Sequence, residues 1–291
     1  MISSNAPQPQ GLAEISEKTA TGTVAALYAD IRAVLGVDLV NLIYRHLATI
    51  PGGLEWAWAN LAPHFRSGEI DSQAALLRES IKEHFPSWPQ QLVFSECDPD
   101  YLIRAAQLTQ VYNLNNSRNL LAFRHLLDET IGMRVSAEVA IPSGTVAGKQ
   151  GGAALPAIPS WEEIDALNRE TVLRINRIGE SQEPSIIASL YRHLVLWPSL
   201  LNDVETALKQ IDASGDIRRA LTFTVDSSRA IAQKHPLPMP VPAPDAVDAT
   251  VRARLRAFID VTIPKMVPVG LALESAIITR ISSPQRETPC T

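Results

Sequence analysis

Two stretches of the chain carry the same four residues, Tyr44-Arg45-His46-Leu47 and Tyr191-Arg192-His193-Leu194. Each is followed at the same distance by a proline, Pro51 and Pro198. These residue types suit proton transfer and carboxylate binding. A neutral imidazole titrates near working pH and can serve as a general base or a metal ligand, so His46 and His193 are candidate bases. A guanidinium offers a rigid fork to a carboxylate, so Arg45 and Arg192 are candidate clamps. The alternative is structural: buried tyrosine rings, histidines with satisfied ring nitrogens, arginines paired with acids. Two histidines do not make a metal centre, and no third or fourth ligand follows at a recognisable spacing, so no metal is expected.

A second candidate is the run Tyr112 to Asn119, YNLNNSRN, which sets Asn113, Asn115, Asn116 and Asn119 inside an otherwise apolar helical pattern. Asparagine competes with the backbone for hydrogen bonds and is a poor interior helix residue. Four within seven positions imply either a polar site or a polar break between two short helices. Gly151-Gly152 follows no strand, and the GTVAGK segment lacks P-loop spacing, so neither reads as a phosphate cradle.

The frame that must position these groups is globular. Of 291 residues 46% are hydrophobic and only 5% aromatic, which predicts an aliphatic core. The formal charge of −5 is spread along the chain, without the basic block of a nucleic-acid surface. The most apolar run, FIDVTIPKMVPVGLALESAII, is interrupted by Asp260, Lys265 and two prolines, unlike a membrane span. The first residues lack the pattern of a secretory leader, and Cys97 and Cys290 supply no disulfide framework. A cytoplasmic protein is the expectation, with no membrane and no nucleic acid as partners.

Around the two YRHL copies the pattern is helical throughout. Val24, Leu27, Ile31 and Val34 recur at helical spacing before Gly36, and Ile164, Leu167, Thr171, Ile175 and Ile178 do so before Gly179. Ser160 and Glu163 have capping-box spacing, and the glycines suit helix C-termini. Downstream, Trp58, Leu61 and Phe65 answer Leu201, Val204, Leu208 and Ile211 as stripes of amphipathic helices. No alternating strand pattern interrupts them. The expectation is an all-α chain of two homologous helical repeats forming an intramolecular pseudo-dimer. Repeat 1 covers 20–135 and repeat 2 covers 160–282, joined by a Gly/Ala/Pro linker at 136–159, with an N-terminus at 1–19 and a tail at 283–291. A cleft between two such repeats is a favoured place for a small ligand.

The runs LYADIRAVLGVDLVNLIYRHLATIPGGLEWAW, YNLNNSRNLL, ASLYRHLVLWPSLL and FIDVTI resemble the group I 2-haloacid dehalogenases, the all-helical enzymes that accept both enantiomers. The resemblance spans about residues 20 to 280. It implies a homodimer of pseudo-dimeric subunits, a small carboxylic acid as ligand, and an active site between the repeats without metal or organic cofactor. There an aspartate at the start of a second-repeat helix activates a water. That water displaces halide from C2 directly, an asparagine holds it, and aromatic side chains wall the pocket.

Carried over residue by residue, Ala188 and Ser189 fit the family pattern, but the aspartate's position falls on Leu190. The asparagine falls on Asn116, with Asn119 beside it, and the aromatic positions fall on Leu39 and Leu42. The resemblance therefore implies a pocket for a 2-substituted acid with its base replaced by leucine. His193, three residues on, and His46 are the expected substitutes. Asp38 and Glu183 are the nearest carboxylates in sequence. The competing expectation is a relative that binds a small acid or apolar ligand without dehalogenating it.

Overall fold

The computed structural model describes residues 12–95, 98–128, 155–180 and 186–282. Glu183, Cys97, Cys290, the tail and most of the expected linker lie outside them. Every regular element among the described residues is helical, as the missing alternation predicted. In order these are α1 (Gly22–Leu35), α2 (Leu42–Leu47), α3 (Gly53–Arg66), α4 (Glu69–His84), α5 (Pro99–Leu127), α6 (Ala166–Arg177), α7 (Ser189–Leu194), α8 (Pro198–Ala213), α9 (Asp216–Lys234), α10 (Ala249–Ala257) and α11 (Ile263–Ser282). A 3-10 turn, Pro89–Gln91, lies between α4 and α5, and a π-helical segment, Phe258–Thr262, joins α10 to α11.

Local chemistry sets most boundaries. Gly36, at φ +68°, ends α1 in the left-handed conformation and donates to the Arg32 carbonyl. The second counterpart begins later than its sequence suggests. Glu163 does accept from the Ser160 amide at 2.6 Å, but this closes only a turn. The helix starts at Ala166 behind Asp165, whose carboxylate accepts from the Asn168 amide at 3.0 Å. A capping box fixes local geometry and does not by itself commit the next residues to a helix.

The asparagine-rich run is no break. It lies within the single 29-residue α5. Its unfavourable propensity is offset by partners on neighbouring helices: Asn113 donates to Glu274 at 2.6 Å, Asn119 accepts from Tyr44 at 2.9 Å, and Arg118 pairs with Asp71. Where α5 meets α11 the backbones come close. A Cβ on Gly270 would meet the Asn113 side-chain oxygen, so a larger residue there would push aside the amide that bonds Glu274.

The π-helical segment has an identifiable cause. Pro264 has no N–H, and its ring would clash with the carbonyl four residues earlier in a regular helix. Widening the turn relieves this, with the Ile263 amide donating to the Phe258 carbonyl. The Ile259 carbonyl is taken up by the Arg124 guanidinium at 2.7 Å, which also pairs with Asp260. The helix from Ala249 to Ser282 is long and apolar enough to span a membrane, yet 78% of its most apolar window is buried inside the fold. It is a core helix.

Two apolar cores result, and both draw on α5 and α11. Leu120 to Leu127 join Tyr44, Leu61 and Phe258 in the first core, while Leu102 to Tyr112 join Leu190, Leu201 and Leu273 in the second. The long helices thus run through both cores. The region where the cores meet lies beside the starts of α2 and α7.

Candidate functional site

The two YRHL segments form the short helices α2 and α7, and both begin at one small cavity of about 40 Å³. Asn41, Leu42 and Ile43 approach it from one side and Ile186 to Leu190 from the other. Tyr112, Asn116 and Asn119 of α5 form one wall, and Phe258 and Thr262, turned by the π-helical segment, form another with Met266. The volume holds roughly three water-sized groups.

Local hydrogen bonds hold the walls. The Asn176 side chain of α6 donates to the Ile186 carbonyl at 2.9 Å and accepts from the Ala188 amide at 3.0 Å, so it fixes the entry to α7. Lys265 of α11 in turn donates to the Asn176 carbonyl at 2.6 Å and pairs with Glu180; both side chains are buried. Burial pushes the Lys265 pKa down, and the Glu180 carboxylate opposes that.

The polar groups of the cavity are few and specific. Tyr44 donates to Asn119 Oδ1, which leaves Asn119 Nδ2 buried with no partner. Ser189 Oγ and Asn41 Oδ1 are likewise buried and unpartnered. Asn116 is half-buried on the same wall. Unpaired buried polar atoms are costly, and three on one cavity indicate a polar guest. The rest of the wall is apolar, with Leu190 only 1% exposed. Tyr112 is its only ionisable lining group, and burial drives that phenol well above the usual tyrosine range.

The expected site residues therefore separate into two groups. Leu42, Asn116, Asn119, Ser189 and Leu190 converge on this cavity. Leu39, Arg45, Arg192 and His193 instead line a second cavity of about 330 Å³, and Tyr112 lines both. Asp38 lies there too, while His46 lines neither. His193 shares a stretch of helix with Leu190 but points to the far side of Tyr112. Its Nε2 donates to the Pro156 carbonyl at 2.8 Å and its Nδ1 accepts from the Tyr112 hydroxyl at 3.2 Å. His46 Nδ1 donates to the Ala13 carbonyl at 2.8 Å, and Nε2 is buried without a partner. Sequence reasoning did not single out Asn41, Thr262 or Met266; the FIDVTI motif held the one hint, in Phe258 and Thr262.

Burial holds these imidazoles neutral. It pushes His193 down to about 4 and His125 to about 3, and lowers His46 as well. In the unfolded chain each histidine takes up its proton near pH 6.5, before the folded chain does, so stability falls as the pH drops below that value. At pH 5.5 His125 and His193 should each cost about 1.4 kcal/mol, and the loss should continue toward their folded values. Urea unfolding at pH 7.5 and pH 5.5 measures it, and coincident free energies would refute neutral burial.

No family model matches the chain. Among curated proteins, a configuration-inverting 2-haloacid dehalogenase from Alcaligenes xylosoxydans xylosoxydans is 26% identical over 209 residues, covering 67% of this chain and 68% of that protein. Solved structures of similar fold include a D-2-haloacid dehalogenase mutant, at TM-score 0.71 and 15% identity, and a D-2-haloacid dehalogenase in complex with L-LA, at TM-score 0.67 and 14% identity. Each alignment covers 94% of this chain and 99% of the other. In sequence the chain is thus similar to a configuration-inverting 2-haloacid dehalogenase, and it shares the fold of D-2-haloacid dehalogenases.

Proposed function

We propose that the chain binds a short carboxylic acid in the cavity between its two cores and does not hydrolyse it by a carboxylate-activated water. The observation that carries this reading is the cavity wall itself. Leu190 stands where the family resemblance implies the aspartate, and the wall holds no other carboxylate, no histidine and no cation. Asn119 Nδ2, the Asn116 amide and Ser189 Oγ supply donors for a carboxylate or a carbonyl oxygen. Leu42, Ile43, Leu190 and Met266 surround an apolar body of a few atoms. A hydrolase with a substitute base is the weaker reading, because both ring nitrogens of His193 are already engaged and Tyr112 stands between it and the cavity.

The same reading takes the two helical halves as products of a duplication. The parallel order of α1, α2, α3, α4 and α6, α7, α8, α9 supports it. Pairing of subunits into a homodimer, which follows from the resemblance, and residence in the cytoplasm complete the proposal.

Binding is tested by thermal shift with D- and L-2-chloropropionate. A ligand that binds only the folded chain raises its melting temperature with concentration. Asn119→Leu removes a buried donor, worth about 1–3 kcal/mol to a bound oxygen, so it should weaken apparent affinity roughly 5- to 150-fold. An unchanged dose response in Asn119→Leu would place the ligand elsewhere.

A further inference from the structure

The second cavity carries a separate inference. Its volume of about 330 Å³ is several times that of the first. Arg45 and Arg192, equivalent residues of the two YRHL segments, reach it from opposite halves of the fold, and one carboxylate, Glu14, lies between them. Glu14 accepts from Arg45 Nε at 2.5 Å, and its other oxygen is 3.4 Å from Arg192. Arg192 is poorly served. It donates to the Pro159 carbonyl at 2.9 Å, while its Nε is buried and has no partner.

Glu14 belongs to a strap, residues 12–20, of which Glu14, Ser16, Glu17 and Lys18 line this cavity. The Ile15 amide donates to the Arg45 carbonyl at 3.0 Å, and Tyr28 donates to the Ile15 carbonyl at 2.8 Å. Of the other charged groups lining the cavity, Glu17 is held by Arg32 and by the Val40 amide, and Lys18 and Asp38 are exposed. The remaining wall is apolar, formed by Leu39, Leu155, Ala157 and Ile158.

We propose that Arg45 and Arg192 form a binding site for a carboxylate with an apolar body, and that Glu14 occupies it from within the chain until such a ligand displaces it. A free carboxylate can satisfy both guanidiniums in bidentate fashion, including Arg192 Nε, which Glu14 leaves unpaired. The apolar wall accepts the body of the ligand. Displacement removes the side-chain tie of Glu14 to Arg45, so ligand binding loosens the strap around its remaining bond from the Ile15 amide to the Arg45 carbonyl.

Sodium benzoate is the probe, because its ring fits the second cavity and is too large for the first. Calorimetric titration at fixed ionic strength should show binding to the natural chain. Glu14→Gln removes the internal competitor and should bind benzoate at least 10-fold more tightly, while Arg192→Gln should bind it at least 10-fold more weakly. Asn119→Leu, at a residue that lines the first cavity and not the second, should leave benzoate affinity unchanged, so this site and the proposed acid cavity fail independently. Amide exchange of the natural chain gives a readout that needs no variant: benzoate should speed exchange at Ile15 several-fold. Equal affinities in the natural chain, Glu14→Gln and Arg192→Gln, absence of binding, or unaltered exchange at Ile15 would each overturn the proposal.

Discussion

Leu190→Asp should release halide from 2-chloropropionate while the natural chain releases none above background. Position 190 lines the same cavity as Asn116, Asn119 and Ser189, so a carboxylate there meets a ready-made set of water-holding groups. The chemistry is a single displacement. The carboxylate takes a proton from water as the new C–O bond forms at C2, and the C–halogen bond breaks with its electron pair leaving as halide. General-base assistance contributes on the order of 10²–10⁴-fold, and that is the expected gain over the natural chain. The wall around Leu190 is apolar and buried, so desolvation will raise the new aspartate's pKa, and the assay belongs at pH 8 or above, where it is ionised. Silence of the folded variant, shown folded by its cooperative melt, would mean that more than the base separates this cavity from a working site.

A second large effect is expected away from the chemistry, in the support of the α7 entry. Removing the carboxylate from Lys265 by Glu180→Ala leaves a buried ammonium without its charge partner, a change that typically costs about 3–5 kcal/mol. Lys265 is only 2% exposed, so it has no route to solvent that would soften the loss. For a chain of this size that corresponds to a fall in melting temperature on the order of 10 °C. Through the Lys265 contact to the Asn176 carbonyl, and the Asn176 side chain to Ile186 and Ala188, the damage reaches the cavity wall. Thermal unfolding of the variant checks it; a loss below about 1 kcal/mol would show that the pair contributes little.

How much of this the residues announce differs from element to element. The helices were legible because their apolar stripes carry the helical period, and α2 and α7 because a proline follows each at the same distance. Leu42, Asn116, Asn119, Ser189 and Leu190 were legible as neighbours only through the family resemblance, since nothing in spacing alone brings residues 42, 116 and 190 together. The orientation of the histidines was not legible. Leu190 and His193 are three apart on one short helix, yet Tyr112 packs between their directions, so one faces each cavity. The continuity of α5 was hidden for a similar reason. Asparagine propensity argues for a break, and the partners that override it, Glu274 and Tyr44, lie far away in sequence. The π-helical turn follows from Pro264, but that it would aim Phe258 and Thr262 at the cavity depends on where α5 crosses.

The natural chain should bind a haloacid-sized molecule in this cavity and leave it intact. The most direct measurement is carbon NMR of the natural chain with 2-chloropropionate labelled at C2, followed over hours at pH 8. A bound signal in exchange with the free acid is expected, weakened in Asn119→Leu, with no change in the chemical identity of the label. Growth of the C2 resonance of lactate, beyond a protein-free control, would contradict it.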